Sequence, residues 1–564
     1  MKNYLTTKIL LVLLFLFALS LRLYGLNWDQ GTHLHPDERF LTMVTNDIRL
    51  PTSLPQYFDN SQSPLNPYNY PQYQFFVYGT LPVFLTKAIT VLIGFDNYDK
   101  VHLVGRSLSA FFDSSNIFLL YLISLKIFKQ KSKLILLPSL LYAFCILPIQ
   151  LSHFYAVDTF LTTFLLSTFT FITYSRFRLA GVAFGLALAC KISAIYFSPI
   201  IGLFFIIFLI KSKNIFRFLL CTFYFVLFTF IFFRIFQPYI FDGIFKINLH
   251  FIDNIKQLQS MTRPDGNFPP SIQWFSKIPL LFSLQNIILW GVGIPLTLIT
   301  ILGIFKLNLK KTNYLILISI LWTLILYFYQ GSQFAHTMRY LLIIYPFVCL
   351  VASYLGGLLN SVKLLNFLVI CHLILGFLFL SIYTRPHSRV QASAWIYDHL
   401  PPGSKITNEY WDDPLPLYLQ GNDPNIYNDT MLPLYDPDSP EKWDKLNQVI
   451  DATDYIIMSS NRLWGSIPLV PDKFPQTSKF YQELFSQNLG FTKLVEINSY
   501  PGVRLPINSC YYFGPSNFPG VKNSWFSIDT QCLYPGIYIR DDIAEEAFSV
   551  YDHPKVLIFS RTDH

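Results

Sequence analysis

The sequence predicts an α-helical polytopic membrane protein with a C-terminal soluble α/β domain. Hydrophobic residues make up 52% of the chain and charged residues 13%, whereas charged residues make up about 25% of a typical soluble protein. Apolar runs of about twenty residues, enough to cross a hydrocarbon core about 30 Å thick, recur up to Tyr383. Beyond it the apolar runs shorten and Pro, Gly, Asp and Asn become frequent. We therefore predict a membrane domain over 1–383 and a soluble domain over 384–564.

Eleven apolar runs are predicted to span the membrane. They cover residues 5–26, 103–126, 133–150, 158–175, 177–193, 194–211, 214–237, 284–305, 313–330, 338–358 and 362–383. A twelfth run, 73–94, contains Pro82 and Lys87 and is rich in Tyr and Phe, which favours a helix lying in the membrane interface.

Basic residues orient these spans, because loops rich in Lys and Arg stay in the cytoplasm. If 73–94 does not cross, the basic loops all face the cytoplasm, with the N-terminus inside and the C-terminal domain outside. These loops carry Lys126, Lys129, Lys131, Lys133, Arg176, Arg178, Lys211, Lys213, Arg217, Lys306, Lys310, Lys311 and Lys363. The formal charge of +8 is then a feature of topology and does not indicate a nucleic-acid partner.

Three segments then face outward: the first external loop 27–102, which includes the interfacial helix, a short turn over 152–159, and a second long loop 238–283 with its tip at 263–270. Asp37 and Glu38 lie in the first loop, directly after the first span. Asp158 lies at the outer end of another span, where its alternative role is an N-cap for the helix from Thr159. Carboxylates beside a membrane can hold a divalent cation or act as a general base.

Further ionisable residues occur on the same predicted face. His153 could complete a metal site with Glu38 and Asp158, although a lone histidine is also a common structural hydrogen-bonding residue. Lys191, His336 and Arg339 mark the outer ends of later spans. Long basic side chains can simply snorkel to the interface, but a guanidinium also suits a phosphate. Carboxylates together with phosphate-binding cations indicate a transferase that acts on a lipid-linked phosphate.

The predicted soluble domain has α/β character. Residues 389–400 have helical spacing and end at Pro401-Pro402-Gly403, while 404–408 and 454–459 have the pattern of strands. Cys510 and Cys532 lie in this polar region and could form a disulfide if it is extracytoplasmic. The other cysteines fall inside apolar runs and suit small buried residues; they are Cys145, Cys190, Cys221, Cys349 and Cys371.

Four segments of the membrane part carry a family resemblance. They are His35-Pro36-Asp37-Glu38, Leu151 to Phe160 (LSHFYAVDTF), Gly185 to Lys191 (GLALACK), and His336 to Leu341 (HTMRYL) followed by Tyr345-Pro346. Together with the interfacial helix, they resemble the GT-C membrane glycosyltransferases, specifically the bacterial branch related to protein O-mannosyltransferases and to the lipid A aminoarabinose transferase. The resemblance covers residues 1–383.

The resemblance implies a sugar donor on polyprenyl phosphate, an extracytoplasmic lipid, glycan or protein acceptor, and inversion at the anomeric carbon. Asp37 would be the base that deprotonates the acceptor hydroxyl. Glu38 and Asp158 would support a divalent metal or the acceptor. Lys191 and Arg339, with His336 beside them, would neutralise the leaving lipid phosphate.

Two other classes of function are weighed against the transferase. A transporter or flippase of lipid-linked sugars typically has two related halves with interrupted helices near the midplane; the sequence has no such halves, and its acidic residues cluster towards one face. A scaffold in envelope assembly needs no catalytic groups, so the presence of both Asp37 and Asp158 argues against it.

Overall fold

The computed structural model describes residues 2–128, 133–264, 268–419, 421–530 and 532–562. Lys129 and Lys131, in one predicted cytoplasmic loop, and 265–267, in the predicted tip of the second external loop, lie outside the described residues. The chain forms two compact units: Met1–Leu26, Pro36–Ser260 and Ser283–Gly376 make the first, and Asn27–His35, Met261–Phe282 and Phe377–His564 make the second.

The first unit is built from α-helices. They are α1 Lys2–Leu23, α2 Pro36–Asp47, α3 Leu54–Phe58, α4 Thr80–Ile93, α5 Tyr98–Ile127, α6 Leu137–Ala143, α7 Ile146–Ser152, α8 Val157–Thr173, α9 Phe177–Cys190, α10 Ser198–Ser212, α11 Ile215–Phe236, α12 Leu249–Met261, α13 Leu281–Asn286, α14 Ile294–Ile304, α15 Tyr314–Gly331, α16 Tyr345–Gly356 and α17 Val362–Leu380. Two 3₁₀ turns, Ile192–Phe197 and Met338–Ile344, directly precede α10 and α16.

Each predicted span has a helical counterpart. Within the described ranges, seven helical stretches are long and apolar enough to cross a membrane, and two bent pairs become spans if each pair is counted as one. The remaining two predicted spans correspond to α8 and α9, which are shorter apolar helices. Helix α4 has 14 residues, or about 21 Å at the usual rise, less than a hydrocarbon core about 30 Å thick.

The predicted span 284–305 is not one straight helix. Its two parts, Leu281–Gly291 and Ile294–Ile304, are bent by 115°. Gly293 adopts a φ of +82° between them and Pro295 lies in the first turn of α14. The chain therefore turns sharply here, because a glycine in this conformation ends one helix and a proline suits the start of the next.

A buried ion pair connects three helices of this unit. Arg22 Nε of α1 lies 2.6 Å from Asp113 Oδ2 of α5, and both side chains are fully buried. The Tyr142 hydroxyl of α6 donates to the other Asp113 oxygen at 2.5 Å. Since the Arg22 guanidinium also donates to the Ala143 carbonyl at 3.1 Å, these charges are satisfied internally and hold the helices together.

The second unit contains two sheets. Its helices are α18 Ser388–His399, α19 Pro440–Ala452, α20 Pro475–Phe485 and α21 Glu546–Ser549, and its strands are β1 Lys405–Glu409, β2 Asn428–Leu432, β3 Tyr455–Met458, β4 Phe491–Ile497, β5 Gly502–Arg504, β6 Cys510–Phe513, β7 Phe526–Asp529, β8 Gly536–Ile539 and β9 Val556–Arg561. The larger sheet has the order β2-β1-β3-β9-β4, and the smaller one β5-β8-β6-β7. In the larger sheet β1 runs parallel to β2 and β3, while β9 runs antiparallel to β3 and β4.

The larger sheet is covered on both faces. Ile396 of α18 packs in one cluster with Ile457 and Ile558. Trp443 of α19 and Tyr481 of α20 belong to the opposite cluster. Alternate residues of β3 and β9 thus point into different cores, as the period of two of a strand requires. The predicted class, a helical membrane protein followed by an α/β domain, is confirmed.

Candidate active site

The three acidic residues predicted for the site lie in the first turns of two helices. Asp37 and Glu38 belong to the first turn of α2, which begins at Pro36. Asp158 belongs to the first turn of α8, whose N-cap is Ala156. The prediction that Asp37 and Glu38 lie in a loop is wrong, as is the N-cap role considered for Asp158. Proline at the first position and carboxylates in the first turn both favour a helix start, because they suit its unpaired N–H groups and dipole.

Arg339 joins two of these carboxylates. Its Nη1 atom contacts Asp37 Oδ2, and its Nε atom donates to Asp158 Oδ2 at 2.7 Å. Lys191 Nζ lies 3.1 Å from the other oxygen of Asp158. The structure therefore brings four of the predicted site residues, two acidic and two basic, into one continuous network.

The residues of this network differ in how far their side chains are exposed. The Asp37 side chain is 37% exposed, whereas that of Asp158 is 4% exposed. The Lys191 side chain is 23% exposed. An incoming molecule can therefore reach Asp37 and Lys191, while Asp158 lies behind Arg339 and Lys191 and holds both cations.

Each of the two basic residues lies at the start of a 3₁₀ turn. Lys191 is the C-cap of α9, and its N–H donates to the Ala187 carbonyl at 3.1 Å before the turn Ile192–Phe197 begins. Arg339 lies in the turn Met338–Ile344, whose N-cap Thr337 accepts from the Arg339 N–H at 3.4 Å. The ammonium of Lys191 also lies 4.8 Å from the ring centre of Tyr340. Local backbone geometry thus fixes where both cations emerge.

Tyr78 is a site residue that the sequence argument missed. Its hydroxyl is hydrogen-bonded to Asp37, and burial, followed by the negative charge of Asp37, raises its pKa well above the ordinary value. A protonated phenol can only donate to the carboxylate.

The next residue, Gly79, donates its N–H to the Cys190 carbonyl at 3.0 Å. A Cβ atom on Gly79 would lie 2.0 Å from the Ala189 oxygen, so only glycine allows this approach to the end of α9.

Glu38 points away from Asp37 into a buried clamp. Its Oε2 atom accepts from Arg106 Nε at 3.0 Å and from the Tyr155 N–H at 2.6 Å. Arg106 Nη1 donates to the Leu26 carbonyl at 2.8 Å, and the side chains of both Glu38 and Arg106 are fully buried. The clamp fixes the start of α2 and thereby Asp37. Arg106 was also missed, although an arginine inside an apolar run is itself a signal.

The predicted metal ligands are not brought together. Glu38 binds Arg106, and Asp158 binds Arg339 and Lys191. His153 Nδ1 lies 2.8 Å from the Ile149 carbonyl and Nε2 lies 2.9 Å from the Tyr24 carbonyl. Within the described ranges, no three His, Cys, Asp or Glu side chains are grouped as metal ligands. The structure therefore does not group Glu38, Asp158 and His153 as the ligands of one metal ion.

His336 stabilises its own turn. Its Nδ1 atom lies 2.9 Å from the Gln333 carbonyl, and its own carbonyl accepts from the Ser283 hydroxyl at 3.2 Å. The side chain is buried. These contacts place His336 directly before the turn that carries Arg339. The predicted contact of His336 with a donor phosphate stays a prediction.

Comparison with known proteins gives fold-level similarities. Neither a protein-family model nor a curated protein sequence matches the chain. The structure is similar to ArnT from Cupriavidus metallidurans bound to undecaprenyl phosphate (12% identity, TM-score 0.45, 82% of this chain and 94% of that chain covered). It is also similar to the Archaeoglobus fulgidus oligosaccharyltransferase in the apo form (12%, 0.48, 93% and 74%) and to AglB from the same organism with an inhibitory peptide and a dolichol-phosphate (12%, 0.46, 85% and 72%).

The arrangement supports two chemical operations. The accessible carboxylate of Asp37 can accept a proton. Arg339 and Lys191 can bind an anion that approaches from the exposed side, because the side chains of Lys191 and Arg339 are 23% and 15% exposed. A site with both abilities suits transfer of a group from a phosphate to a hydroxyl.

Proposed function

We propose that the protein is an integral-membrane inverting glycosyltransferase that moves a sugar from a polyprenyl-phosphate donor to an acceptor hydroxyl on the extracytoplasmic side. The observation that carries this proposal is the contact of Arg339 with both Asp37 and Asp158, with Lys191 on the same Asp158. It places a reachable base next to two cations at the ends of apolar helices. The scheme holds for a hexose and for a pentose, because the site residues act on the phosphate and the hydroxyl only.

Asp37 acts as the general base. Its carboxylate takes the proton of the acceptor hydroxyl, the acceptor oxygen bonds to the anomeric carbon, and the bond from that carbon to the phosphate oxygen breaks. Attack from the face opposite the phosphate inverts the anomeric centre. The Tyr78 hydroxyl, which is hydrogen-bonded to Asp37, orients the carboxylate for this step.

Arg339 and Lys191 stabilise the leaving group. Polyprenyl phosphate gains negative charge as the sugar departs, and fixed cations stabilise such charge most at the transition state. In the structure Arg339 contacts Asp37; a donor phosphate that takes over part of this guanidinium leaves Asp37 more basic. Donor binding therefore prepares the base, while Asp158 keeps both cations in place.

The direct experiment measures transfer by the purified full-length protein. A panel of polyprenyl-phosphate sugars is incubated with lipid, glycan and peptide acceptors, and products are identified by mass. We expect one donor to give a transfer product and Asp37→Asn to reduce its rate by about 10²–10⁴-fold, the usual contribution of a positioned base. The control is Asp253→Asn, since Asp253 is an exposed carboxylate on α12.

Two results would overturn the proposal. Transfer by Asp37→Asn at the wild-type rate removes the base assignment. Movement of intact lipid-linked sugar across proteoliposome membranes, with no transfer to any acceptor, instead identifies a transporter.

Cation dependence provides a further test. Because the Asp158 oxygens are bound by Arg339 and Lys191 and Glu38 by Arg106, we expect transfer to continue at the same rate after EDTA treatment and removal of divalent cations. Loss of transfer that added Mg²⁺, Mn²⁺ or Zn²⁺ restores would contradict this expectation and point to metal ligands outside the network.

A further inference from the structure

A cavity of the second unit is lined by residues from both of its sheets. Tyr512 of β6 and Tyr538 of β8 form part of its wall, together with Cys510 and Cys532, which form the predicted disulfide. Its volume is about 280 Å³ including the opening to solvent. Only a small part of this space is wide enough for a water molecule, so the interior admits single hydroxyl groups and the rest of a ligand stays outside.

Gln391 of α18 brings an unsatisfied acceptor to this cavity. Its Nε2 donates to the Pro386 carbonyl, and because a carbonyl can only accept, the orientation of the amide is fixed. Within the described ranges its Oε1 is buried without a hydrogen-bond partner, and the residue is 8% exposed. A buried oxygen that receives no hydrogen bond is costly. The missing donor must come from a molecule that enters the cavity.

Arg385 supplies donors to the same cavity. The residue is 6% exposed, and its guanidinium lies 5.1 Å from the ring centre of Tyr538. Nη2 donates to the Tyr500 carbonyl at 2.6 Å, and among the described residues this is the only hydrogen bond of the side chain. Nε and Nη1 are therefore available to a ligand.

Glu496 of β4 adds a carboxylate to the lining. Its Oε2 accepts from Lys493 Nζ at 2.9 Å, and its side chain is 19% exposed. The nearby Asn498 lines the cavity as well, with Nδ2 3.4 Å from the Tyr512 hydroxyl. The cavity thus offers strong donors and strong acceptors side by side, between aromatic walls.

We propose that this cavity binds the edge of a carbohydrate, with neighbouring hydroxyl groups between Arg385, Gln391 and Glu496. A hydroxyl both donates and accepts, so two of them can accept from the guanidinium while they donate to the amide oxygen and the carboxylate. The C–H groups of the sugar ring pack against the tyrosine rings. The site lies wholly within the second unit and takes no part in the transfer reaction proposed above.

Other ligands match these groups less well. A carboxylate or sulfate suits Arg385 but is repelled by Glu496, and it has no proton to donate to Gln391 Oε1. The N–H and C=O groups of a peptide are flanked by bulky backbone atoms and do not fit the narrow interior, and a serine or threonine side chain brings one hydroxyl only. Hydroxyls on adjacent ring carbons project far enough to enter together.

The test measures binding of free sugars to the full-length protein in nanodiscs, which avoid sugar-based detergents. Saturation-transfer NMR is recorded with a panel of methyl glycosides in pyranose and furanose forms. We expect saturation of at least one glycoside. Deoxy analogues that lack one of the two bound hydroxyls should have a Kd about 10–100-fold higher, because a polar group of the site then stays unpaired.

A matched pair of variants locates the binding. Glu496→Gln keeps the shape of the side chain and should raise the Kd of the same glycoside about 10–100-fold. Glu483→Gln is the control, since Glu483 of α20 also pairs with a lysine, Lys479, at 3.5 Å but does not line the cavity; its Kd should equal that of the wild type. Thermal unfolding verifies that each variant is folded, and Asn498→Ala, at a partly exposed position, is a second variant that should weaken binding.

Three results would overturn the proposal. Glycoside binding of wild-type strength by folded Glu496→Gln and Asn498→Ala variants would place the sugar elsewhere on the protein. Saturation of short peptides without saturation of any glycoside would identify a peptide site. Saturation of neither class would mean that water alone fills the cavity.

Discussion

Arg339 links the two carboxylates of the candidate site, and its geometry explains why a guanidinium is needed. Nε and Nη1 are separate donors on one rigid plane, and each faces a different aspartate. A lysine ammonium is a single point charge and cannot reproduce this arrangement. The residue type is therefore part of the proposed mechanism.

Substitution of Arg339 should reduce transfer and donor affinity together. We expect Arg339→Ala to lower kcat by about 10²–10³-fold, the usual loss when one stabilising donor is removed from a transition state, and Arg339→Lys to recover only a small part. Steady-state transfer kinetics and binding of polyprenyl phosphate measure the two effects. Arg217→Ala, on an exposed arginine at the start of α11, is the control; an Arg339→Ala variant with normal donor affinity would return this arginine to a snorkelling role.

Glu38 should matter for stability as well as for rate. Glu38→Gln leaves Arg106 buried without its counter-ion, and breaking such a pair typically costs about 3–5 kcal/mol. Thermal unfolding in detergent should show the loss, while Asp37→Asn, which changes a half-exposed carboxylate, should unfold near the wild-type temperature. Equal unfolding temperatures for Glu38→Gln and the wild type would mean that the clamp does not hold α2.

Gly79 offers a test of the backbone next to the site. Gly79→Ala introduces a Cβ atom 2.0 Å from the Ala189 oxygen, which must push the segment carrying Tyr78 away from Lys191. We expect a clear loss of transfer activity in the purified variant. Gly202→Ala is the matched control, because a Cβ atom there meets nothing within 4 Å; similar activities in both variants would contradict the proposed role of Gly79.

At the scale of elements, apolar runs predict where the helices are but not how they begin. The run over 338–358 was predicted as one span, and the structure opens it with a 3₁₀ turn that carries Arg339. The run over 194–211 likewise opens with the turn after Lys191. Hydropathy averages over many residues and has no information on such turns. Lys191 and Arg339 were predicted as site residues from their charge. Their orientation depends on the backbone hydrogen bonds between residues i and i+3 that form the 3₁₀ turns.

Strand β1 and helix α20 of the second unit are coupled through a buried proton. Burial raises the pKa of Glu409 to about 8, and the Tyr481 hydroxyl donates to its Oε1 at 2.5 Å. The pKa in the unfolded chain is the ordinary 4.5. The folded state therefore holds this proton more tightly than the unfolded state does. Protonated Glu409 contributes its full stabilisation below pH 4.5, and this contribution is lost as the pH rises through about 8.

This linkage predicts how unfolding depends on pH. The unfolding temperature of the second unit should fall between about pH 5 and about pH 9, and Glu409→Gln should flatten that fall because an amide stays neutral throughout. Calorimetry of the full-length protein in detergent at several pH values measures both curves. Parallel curves for the two proteins would show that Glu409 is already ionised in the folded state.

For the whole molecule, the charge pattern predicts an N-terminus in the cytoplasm and a second unit outside the cell membrane. Labelling of the variants Lys479→Cys and Lys310→Cys with a membrane-impermeant maleimide tests this topology directly. Lys479 is an exposed residue of α20 in the second unit, and Lys310 lies in a predicted cytoplasmic loop. We expect labelling of position 479 in intact cells and of position 310 only after lysis. The opposite pattern would reverse the topology.

The sequence could predict which residues matter more readily than how they meet. Asp37, Asp158, Lys191 and Arg339 stand out as charges beside apolar runs, and the distribution of basic loops predicts that they lie on one side of the membrane. Charge and position alone could not separate Asp37 from its neighbour Glu38, because adjacent residues of a helix point about 100° apart and only the fold decides which one meets Arg106. Tyr78 carries no charge and belongs to a region rich in tyrosine, so composition could not distinguish it.

The order of strands in the larger sheet has a consequence for biosynthesis. Strand β9, Val556–Arg561, lies between β3 and β4, so the middle of the sheet stays open until the ribosome has delivered residues beyond 556. On the predicted topology, strands β1 to β4 therefore emerge from the translocation channel with unpaired edges, and such edges invite aggregation. Maturation of this unit should depend on holding chaperones at the extracytoplasmic face of the membrane. A nascent chain arrested before β9 should remain sensitive to proteases.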